Sequence, residues 1–570
     1  MNSSDRPTFI KTEDGWAILI GLFILITGLI VFFEALPDNY KSLHQQYNLV
    51  MENEQAEAPF RTIKWYKAYQ AQQDLRMDKT PVGIFFINLT GKPHSWTANP
   101  IQAFFHSEID TVIRGDKNQA SLKSAQEVLD KRYQEAEKRE GKARTENFKN
   151  EELNRSAKIA IAEWLDSREK TDKLIQKSAG KNHNQIPYLF GLFIIMALVY
   201  GIGTYMMDRY FFKFIVGLLY VFVIGIIAYF LSAQSTMRTI GFGYAAWAII
   251  IGLLISNTIG TPSWVKPAVK TEYFIKTGLV LLGAEILFGK ILSIGLPGIF
   301  VAWVVTPIIL VVTFWFGQKV LKITSKTLNI TISADMSVCG VSAAVAVAAA
   351  CRAKKEELTL AIGLSMVFTS VMMILLPLFI NWTGMPEVLG GAWIGGTIDA
   401  TGAVVAAGAF LGENAMMVAA TIKMIQNVLI GVIAFFVAIY FTMKVENKGA
   451  QKISAIEIWY RFPKFILGFI GASIVFSGLY SLVGIDLGYT VIDQGIIGAY
   501  SKNLRGWFFC LSFVSIGLAT NFKELKSHFK GGKPLILYVS GQTFNLALTL
   551  LIAYIMFYRV FPEITDMFTN

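Results

Sequence analysis

Long apolar runs separated by short polar connections make up most of this chain, and a single long polar stretch interrupts them near the start. Runs of about 17–25 apolar residues are long enough to cross a hydrocarbon core of roughly 30 Å as a helix. The pattern therefore predicts about 13 transmembrane helices. The predicted spans are residues 16–33, 188–206, 214–231, 244–259, 274–288, 299–316, 333–350, 358–380, 394–411, 415–443, 465–482, 507–519 and 535–557.

The polar stretch covers residues 37–185 and predicts a mainly helical soluble insertion. Its first part, residues 37–120, mixes aromatic residues with Pro and Gly, and residues 82–89 are apolar and read as a strand. From residue 121 onward, apolar side chains recur at three- and four-residue spacings with charges on the other faces, as in amphipathic helices. We expect two such helices, paired as a hairpin around Gly141.

Composition agrees with a membrane protein that carries a soluble insertion. Hydrophobic residues make up 53% of the chain and charged residues only 16%. Residues 37–181 hold 24 Lys and Arg and 21 Asp and Glu, almost half of the chain's 52 and 41. Because these charges nearly cancel, the net charge of +11 arises mainly in the short loops, so it does not indicate a nucleic-acid partner.

The distribution of basic residues also predicts an orientation. Loops rich in Lys and Arg stay in the cytoplasm, which places the N-terminus of this multi-pass chain inside and the insertion outside. The first span has about 18 apolar residues and no small-residue cleavage site, so we expect a retained helix rather than a signal peptide. The predicted parts are a first helix (1–36), the insertion (37–185), an additional helix (186–213) and a transporter core (214–570).

Two segments of small residues stand out within the apolar half of the chain. Residues 333–350 include 11 Gly, Ala or Ser among 18 residues, and residues 395–412 form a second such segment. Small residues let helix backbones approach closely, and secondary transporters place their sites at discontinuous helices in repeated halves. We predict that the two segments are discontinuous helices facing each other, with Gly340 and Gly402 supplying the backbone freedom. A weak similarity between residues 279–298 and 513–534 supports an internal repeat.

Ionisable side chains inside these segments are candidates for function. Asp335 and Asp399 are costly to bury unless they are paired or hydrated, so we predict that they couple transport to H⁺ or Na⁺; helix capping is the alternative. Lys423 would attract an anion or pair with Asp399, unless it extends to the membrane surface. Glu285, toward the end of a predicted span, is expected to lie at the membrane interface. The predicted substrate-binding residues are Ser337, Cys339, Gly340, Ser342, Thr397, Thr401, Gly402, Lys423 and Asn427.

For each hydroxyl in this set, plain helix packing is the competing interpretation, and Cys339 fits packing better than nucleophilic chemistry. The five histidines fall outside the predicted spans and the three cysteines lie in or beside apolar segments. We therefore expect no metal site and no cofactor. No phosphate-binding loop of the ATPase type occurs in the sequence, so ATP is not expected to drive transport.

Several motifs resemble one family. SVCGVSAAVAVAAACRAKKEE, GGTIDATGAVVAAG followed by ATIKMIQN, YAAWAIIIGLLISNTIG, and FIKTGLVLLGAEILFGKILSIGLPGI together resemble the YeiH-like sulfate exporter family of bacterial inner-membrane proteins. The resemblance covers about residues 214–570 and implies a core of about 11 helices with inverted repeats. Where members of that family carry His-Glu before the VVAAG run, this chain has Asp399 and Ala400; family arginines are replaced by Glu285 and Gln426. The cationic character around an oxyanion is thereby reduced.

These observations lead to three hypotheses. The first is a secondary active transporter, not an enzyme, that exports a small anion such as sulfate, a sulfonate or another organic anion by alternating access. The second is a receptor or sensor that uses the insertion to bind an extracytoplasmic partner. The third is an intramembrane aspartyl protease built on Asp335 and Asp399, which lacks the expected GxGD signature. A homo-oligomer is compatible with each.

Overall fold

We analysed a computed structural model, which describes residues 9–106, 108–178, 183–239, 243–285, 288–444, 463–521 and 532–569. Helices dominate these residues. In the N-terminal third they are α1 (Glu13–Glu34), α2 (Tyr40–Glu57), α3 (Ile63–Gln73), α4 (Pro81–Leu89), α5 (Glu108–Thr145), α6 (Glu151–Ser178) and α7 (Ile186–Asp208). A two-residue antiparallel ladder joins β1 (Phe105–His106) to β2 (His183–Asn184).

The rest of the chain is almost entirely helical. Its helices are α8 (Phe211–Ser232), α9 (Ser235–Thr239), α10 (Tyr244–Thr258), α11 (Thr271–Glu285), α12 (Phe288–Ile299), α13 (Val305–Lys319), α14 (Lys326–Ser337), α15 (Val341–Cys351), α16 (Lys355–Thr383), α17 (Glu387–Thr397), α18 (Thr401–Leu411), α19 (Glu413–Lys444), α20 (Phe465–Val483), α21 (Ile485–Leu487), α22 (Lys502–Ala519), α23 (Gly532–Ile555) and α24 (Pro562–Thr569). π-Helical turns occupy Phe300–Val304, Gly488–Ser501 and Met556–Val560.

The predicted helical membrane architecture is confirmed. Among the described residues, eight helices are long and apolar enough to cross a membrane, and α10, α15 and α18 are shorter apolar helices. The apolar run at 507–519 proves to be the end of a longer helical stretch, because Gly488–Ser501 leads directly into α22. Part of the repeated sequence, at 286–287 and 522–531, lies outside the described residues.

The chain divides into two compact units. One comprises Met1–Ile24, Ile195–Gly478 and Leu504–Asn570, and the other comprises Leu25–Ile194 and Leu479–Asn503. The first unit contains the small-residue segments. Close backbone approach is common within it: a Cβ on Gly252 of α10 would lie 2.8 Å from the Cα of Gly517 in α22. Such contacts explain why these helices are rich in Gly and Ala.

The second unit contains the insertion, which has its own core. A cluster that includes Ile63, Ala136, Ile161 and Trp164 joins α3, α5 and α6. The predicted pairing of two long helices is confirmed, but the turn follows Thr145 rather than Gly141, which lies inside α5. Asn150 Oδ1 accepts hydrogen bonds from the backbone N–H groups of Glu152 and Leu153, so this Asn caps the start of α6.

The strand expected at 82–89 is wrong, because these residues form α4. Thr80 Oγ1 accepts a hydrogen bond from the Gly83 N–H, and Pro81 occupies the first helical position, where its missing N–H costs nothing. The Thr-Pro pair therefore begins a helix, and this local signal outweighs the β-branched and aromatic composition of the segment.

Candidate functional site

The first small-residue segment is a broken helix, as predicted. α14 ends at Ser337, α15 begins at Val341, and a three-residue turn separates them. Gly340 has φ +59° and ψ −126°, a conformation that favours glycine, and its N–H donates to the Asp335 carbonyl at 2.9 Å. Gly340 therefore supplies the backbone freedom on which this break depends.

The second segment is broken as well, but by different means. α17 ends at Thr397 and α18 begins at Thr401, with Ile398 and Ala400 in extended conformation at ψ 131° and 133°. The glycine expected to allow this break, Gly402, lies inside α18 and does not have a positive φ. Two extended residues turn the chain without any left-handed position, so no glycine is required there.

The two breaks lie against each other. A Cβ placed on Gly340 would be 3.3 Å from Asp399 Cβ and 2.9 Å from Ser365 Oγ on α16. Any residue with a Cβ at this position would therefore have to displace a neighbour. The predicted juxtaposition of the two small-residue segments is therefore present in the structure, and we refer to residues 335–342 and 396–402 together as the crossing.

Side chains of α19 cap the carboxyl ends of the first half-helices. The Lys423 ammonium, only 1% exposed, donates to the Val338 carbonyl at 2.6 Å and to Gln426 Oε1 at 2.7 Å. Gln426 Nε2 in turn donates to the carbonyls of Ser337 at 3.0 Å and Gly396 at 3.4 Å. Lys423 thus stays within the protein interior. Its positive charge interacts favourably with the carboxyl end of the helix dipole.

A stripe of polar residues on α23 completes the capping. Gln542 Nε2 donates to the Thr397 carbonyl at 2.8 Å, and Asn545 Nδ2 donates to the Met336 carbonyl at 3.3 Å. Tyr538, one turn before Gln542, donates its hydroxyl to Asp399 Oδ2. The helix-end carbonyls that the breaks expose are satisfied by these donors, so the breaks do not leave those groups unpaired inside the membrane.

Among the described residues, the positions directly before the second half-helices make no side-chain hydrogen bond to the helix starts. Gly340 and Ala400 precede α15 and α18, and neither carries a polar side chain that could accept from the first N–H groups. Such N–H groups, together with the helix dipole, favour negative charge. The crossing thus pairs capped carboxyl ends with amino ends that Gly340 and Ala400 leave open, and only the weakly accepting Cys339 thiol lies near a first-turn N–H, that of Ala343 in α15.

The two aspartates of the crossing have different surroundings. Asp399 is 2% exposed and accepts from Tyr538 and, at 3.4 Å, from Ser365 Oγ. Asp335 is 0% exposed, and neither of its carboxylate oxygens has a hydrogen-bond partner among the described residues. An ionised carboxylate in that position would be buried without compensation, which is strongly unfavourable.

The structure distributes the other predicted residues unevenly. Thr401 Oγ1 accepts from Asn427 Nδ2 at 3.1 Å, which places this pair at the start of α18. The hydroxyls of Ser337 and Thr397 donate to carbonyls of their own helices, as packing hydroxyls do. The remaining three differ in burial: Cys339 and Gly402 are buried, whereas Ser342 is exposed.

Glu285 lies apart from the crossing, in a separate ion-pair network. Its carboxylate accepts two hydrogen bonds of 2.7 Å from Arg505 at the start of α22. Arg505 also donates to Glu413 at 3.1 Å, at the first residue of α19. Glu285 and Arg505 are 7% and 5% exposed, so this pair is internal rather than interfacial.

Sequence reasoning missed Ser365 and the α23 stripe. Tyr538, Gln542 and Asn545 recur at spacings of four and three residues within an apolar run, followed by Thr549 four residues later. Polar residues at helical spacing on one face of a membrane helix predict a face that meets other polar groups. That signal was present in the sequence. Ser365, a single hydroxyl on a long apolar helix, gave no such indication.

Comparisons with known proteins agree with the fold. A protein-family model described as "Conserved hypothetical protein 698" matches residues 216–538. A UPF0324 membrane protein of Nitratidesulfovibrio vulgaris is 53% identical over 553 residues, covering 97% of this chain and 96% of that protein. The chain belongs to the UPF0324 membrane protein family. The resemblance to the YeiH-like family that its motifs indicated is thereby confirmed.

Other relatives share smaller parts of this membrane protein. A UPF0324 membrane protein of Rhodopirellula baltica is 56% identical over 376 residues, 66% of this chain and 69% of that protein. One from Nitrosomonas europaea is 33% identical over 327 residues, 52% of this chain and 65% of that protein. No solved structure matches. Since the Nitratidesulfovibrio relative spans nearly the whole chain, most of the insertion also has a counterpart there.

Proposed function

We propose that this protein is a secondary active transporter that moves a small anion across the bacterial inner membrane by alternating access. One observation carries the proposal. At the crossing, side chains of α19 and α23 donate hydrogen bonds to the carboxyl ends of the first half-helices, whereas Gly340 and Ala400 do not cap the amino ends of the second half-helices. The donors are Lys423, Gln426, Gln542 and Asn545. Discontinuous helices arranged in this way form the substrate sites of several transporter folds.

The chemistry of the crossing favours an oxyanion. Uncapped N–H groups at the starts of α15 and α18 can donate to it, and Thr401 and Asn427 offer neutral polar atoms beside one of these starts. Sulfate, a sulfonate or a carboxylate fits this donor set. Export is the direction that the family resemblance implies, with the N-terminus in the cytoplasm.

Coupling to a cation is part of the same proposal. Asp335 and Asp399 lie in the crossing beside the buried Lys423, and H⁺ and Na⁺ are the candidate coupling ions. Buried ionisable groups in membrane segments are typical of ion pathways and proton relays. The protein then acts as a carrier rather than an enzyme.

Flux measured with purified protein in proteoliposomes tests the proposal. The anions to compare are sulfate, thiosulfate, a sulfonate and a carboxylate. Lys423→Met removes the buried charge and the Val338 cap while keeping an unbranched side chain, and it should lower flux of the transported anion by about tenfold or more, equivalent to about 1.4 kcal/mol. Lys319→Met, on an exposed lysine at the end of α13, is the matched control. Absence of flux for every anion, or equal flux in the two variants, would refute the proposal.

A second function for the insertion has separate support. Its helices form an open surface pocket of about 510 Å³, lined by charged and aromatic side chains that include Lys67, Tyr133, Trp164 and Arg168. A polar pocket on a domain with its own core is suited to binding a small polar ligand, as the receptor hypothesis requires. Calorimetric titration of the full chain with the same anions, compared with Arg168→Ala, would test it; heats unchanged by the substitution would count against it.

A further inference from the structure

We infer that Asp335 carries a single coupling proton, and that Asp399 stays ionised as a fixed partner of the crossing. This inference rests on the proposed transport function and selects between the two aspartates and between the two candidate ions. It starts from an unpartnered group: both carboxylate oxygens of Asp335 are buried without a hydrogen bond from any described residue. A buried carboxyl in this condition requires either a proton or a bound cation.

The charges at the crossing do not balance without an additional cation. Asp335 and Asp399 are acids and Lys423 is the base, so with all three ionised the formal sum is −1. The other titratable groups facing Asp335 are Cys339 from the first break and Tyr538 from α23, both neutral. One proton or one monovalent cation brings the sum to zero. Since unbalanced charge is unfavourable in a low-dielectric interior, one such ion is needed at the buried crossing.

Hydrogen bonding shows which aspartate takes it. Asp399 accepts from the Tyr538 hydroxyl and from Ser365, and donors to a carboxylate stabilise its ionised form. Ser365 lies near both carboxylates, but the Tyr538 hydroxyl donates to Asp399, and neither oxygen of Asp335 has a well-formed hydrogen bond from a described residue. Protonation at Asp335 removes an uncompensated charge. Protonation at Asp399 would weaken hydrogen bonds that already exist.

The ligands that sodium needs are largely occupied. In transporters with broken helices, Na⁺ is typically coordinated by the unwound carbonyls and by carboxyl ends of half-helices. Here five of the carbonyls at the breaks already accept hydrogen bonds from side chains of α19 and α23. The carbonyls in question are those of Met336, Ser337, Val338, Gly396 and Thr397. A proton needs only one acceptor oxygen, so the crossing suits a proton better than a sodium ion.

Protonation of Asp335 would also prepare the site for its anion. With Asp335 neutral, the remaining formal charges of Asp399 and Lys423 cancel. The two open helix starts then contribute roughly +0.5 charge each, which a monovalent anion would balance. With Asp335 ionised, the same anion would enter a site that already has an excess of negative charge. Anion binding and proton binding are therefore coupled in this arrangement.

Infrared spectroscopy on the full-length purified protein tests the proton directly. A protonated carboxyl has a C=O stretch that shifts in D₂O, and the wild type should show one such buried band at neutral pH. The band should disappear in Asp335→Asn and persist in Asp399→Asn and in Asp38→Asn, a control on an exposed carboxylate. A wild type without the band, or a band that persists in Asp335→Asn, would overturn the assignment. Since the wild-type spectrum alone can overturn it, the test does not depend on a variant folding.

A thermal-stability comparison separates proton from sodium. The melting temperature of the wild type in NaCl should equal that in KCl or choline chloride at the same ionic strength. A rise specific to NaCl that is lost in Asp335→Asn would show a sodium site and overturn the inference. Transport failure is distinguishable from both outcomes: a carboxyl band without flux of any anion would refute the transport function alone, and anion flux that does not change with pH or in Asp335→Asn would refute the proton alone.

Discussion

Replacing Gly340 by Ala is the most direct test of the crossing. The sequence predicted that Gly340 and Gly402 both allow a helix break, but only Gly340 should be destabilised by this substitution. Gly340 has φ +59° and ψ −126°, where an L-residue is strained. Holding a non-glycine residue in such a conformation costs about 1–3 kcal/mol. The new Cβ would also lie 2.9 Å from Ser365 Oγ, so this hydroxyl must shift, which disturbs its 3.4 Å hydrogen bond to Asp399.

The displaced hydroxyl adds to the backbone strain. Loss of a hydrogen bond of this kind contributes about 1 kcal/mol, so Gly340→Ala should destabilise the protein by about 2–4 kcal/mol in total. Gly402→Ala is the control. Gly402 lies in α18 without a positive φ, and its Cβ would meet the flexible end of Ile516 at 3.3 Å. Helix propensity favours Ala over Gly by about 1 kcal/mol, so the tight contact and the propensity should nearly cancel.

The assay is denaturant unfolding of the purified full-length chain in detergent, with anion flux measured on the same preparations. We expect Gly340→Ala to lose both stability and flux, and Gly402→Ala to stay within about 1 kcal/mol of the wild type. Equal stability of the two variants would show that the first break does not depend on a left-handed glycine. Our account of how the chain forms the crossing would then be wrong.

Two further predictions concern charges outside the crossing. Arg505→Ala leaves the buried Glu285 carboxylate without its partner and should cost about 3–5 kcal/mol of stability, whereas removing both side chains in a double-mutant cycle should recover much of that loss. In the insertion, burial raises the pKa of Glu54, but hydrogen bonds from Arg144, Lys64 and a threonine outweigh it and hold this pKa below its ordinary value. The stabilisation of the folded insertion by ionised Glu54 is therefore complete above the pKa that Glu54 has in the unfolded chain, and it is lost as pH falls through the pKa that Glu54 has in the folded protein. Hydrogen exchange of α2 and α5 should show this acid sensitivity in the wild type and not in Glu54→Gln.

The sequence was most informative where one physical effect dominates. Long apolar runs have few alternatives to membrane helices, and both small-residue segments are broken helices that meet. Prediction failed where local signals compete. The Thr80–Pro81 helix start overrode the strand-like composition of α4, and the turn of the insertion follows Thr145 because Asn147 and Phe148, not Gly141, adopt positive φ.

The candidate site was only half predictable for a related reason. Asp335, Asp399 and Lys423 are conspicuous as charges in apolar sequence, whatever they contact. Their roles depend on neighbours that are distant along the chain. Tyr538 donates a hydrogen bond to Asp399 although the two residues are 139 positions apart, and no rule of sequence spacing predicts this contact. The difference between a paired and an unpartnered aspartate therefore becomes visible only in three dimensions.

The capping pattern also limits how the proposed transporter can move. α19 and α23 hold both breaks through hydrogen bonds to the same helix ends, so separating the half-helices would expose several carbonyls inside the membrane. Each unsatisfied group costs several kcal/mol in hydrocarbon. A Cβ on Gly402 would instead meet Ile516 Cδ1 at 3.3 Å, Thr271 Cγ2 at 3.6 Å and Ser512 Oγ at 3.9 Å, and none of these atoms is a capped carbonyl. Alternating access at low cost would therefore keep the crossing, α18, α19 and α23 together as one body that slides past α11 and α22, and the Glu413–Arg505 hydrogen bond between α19 and α22 would have to break or exchange during the movement.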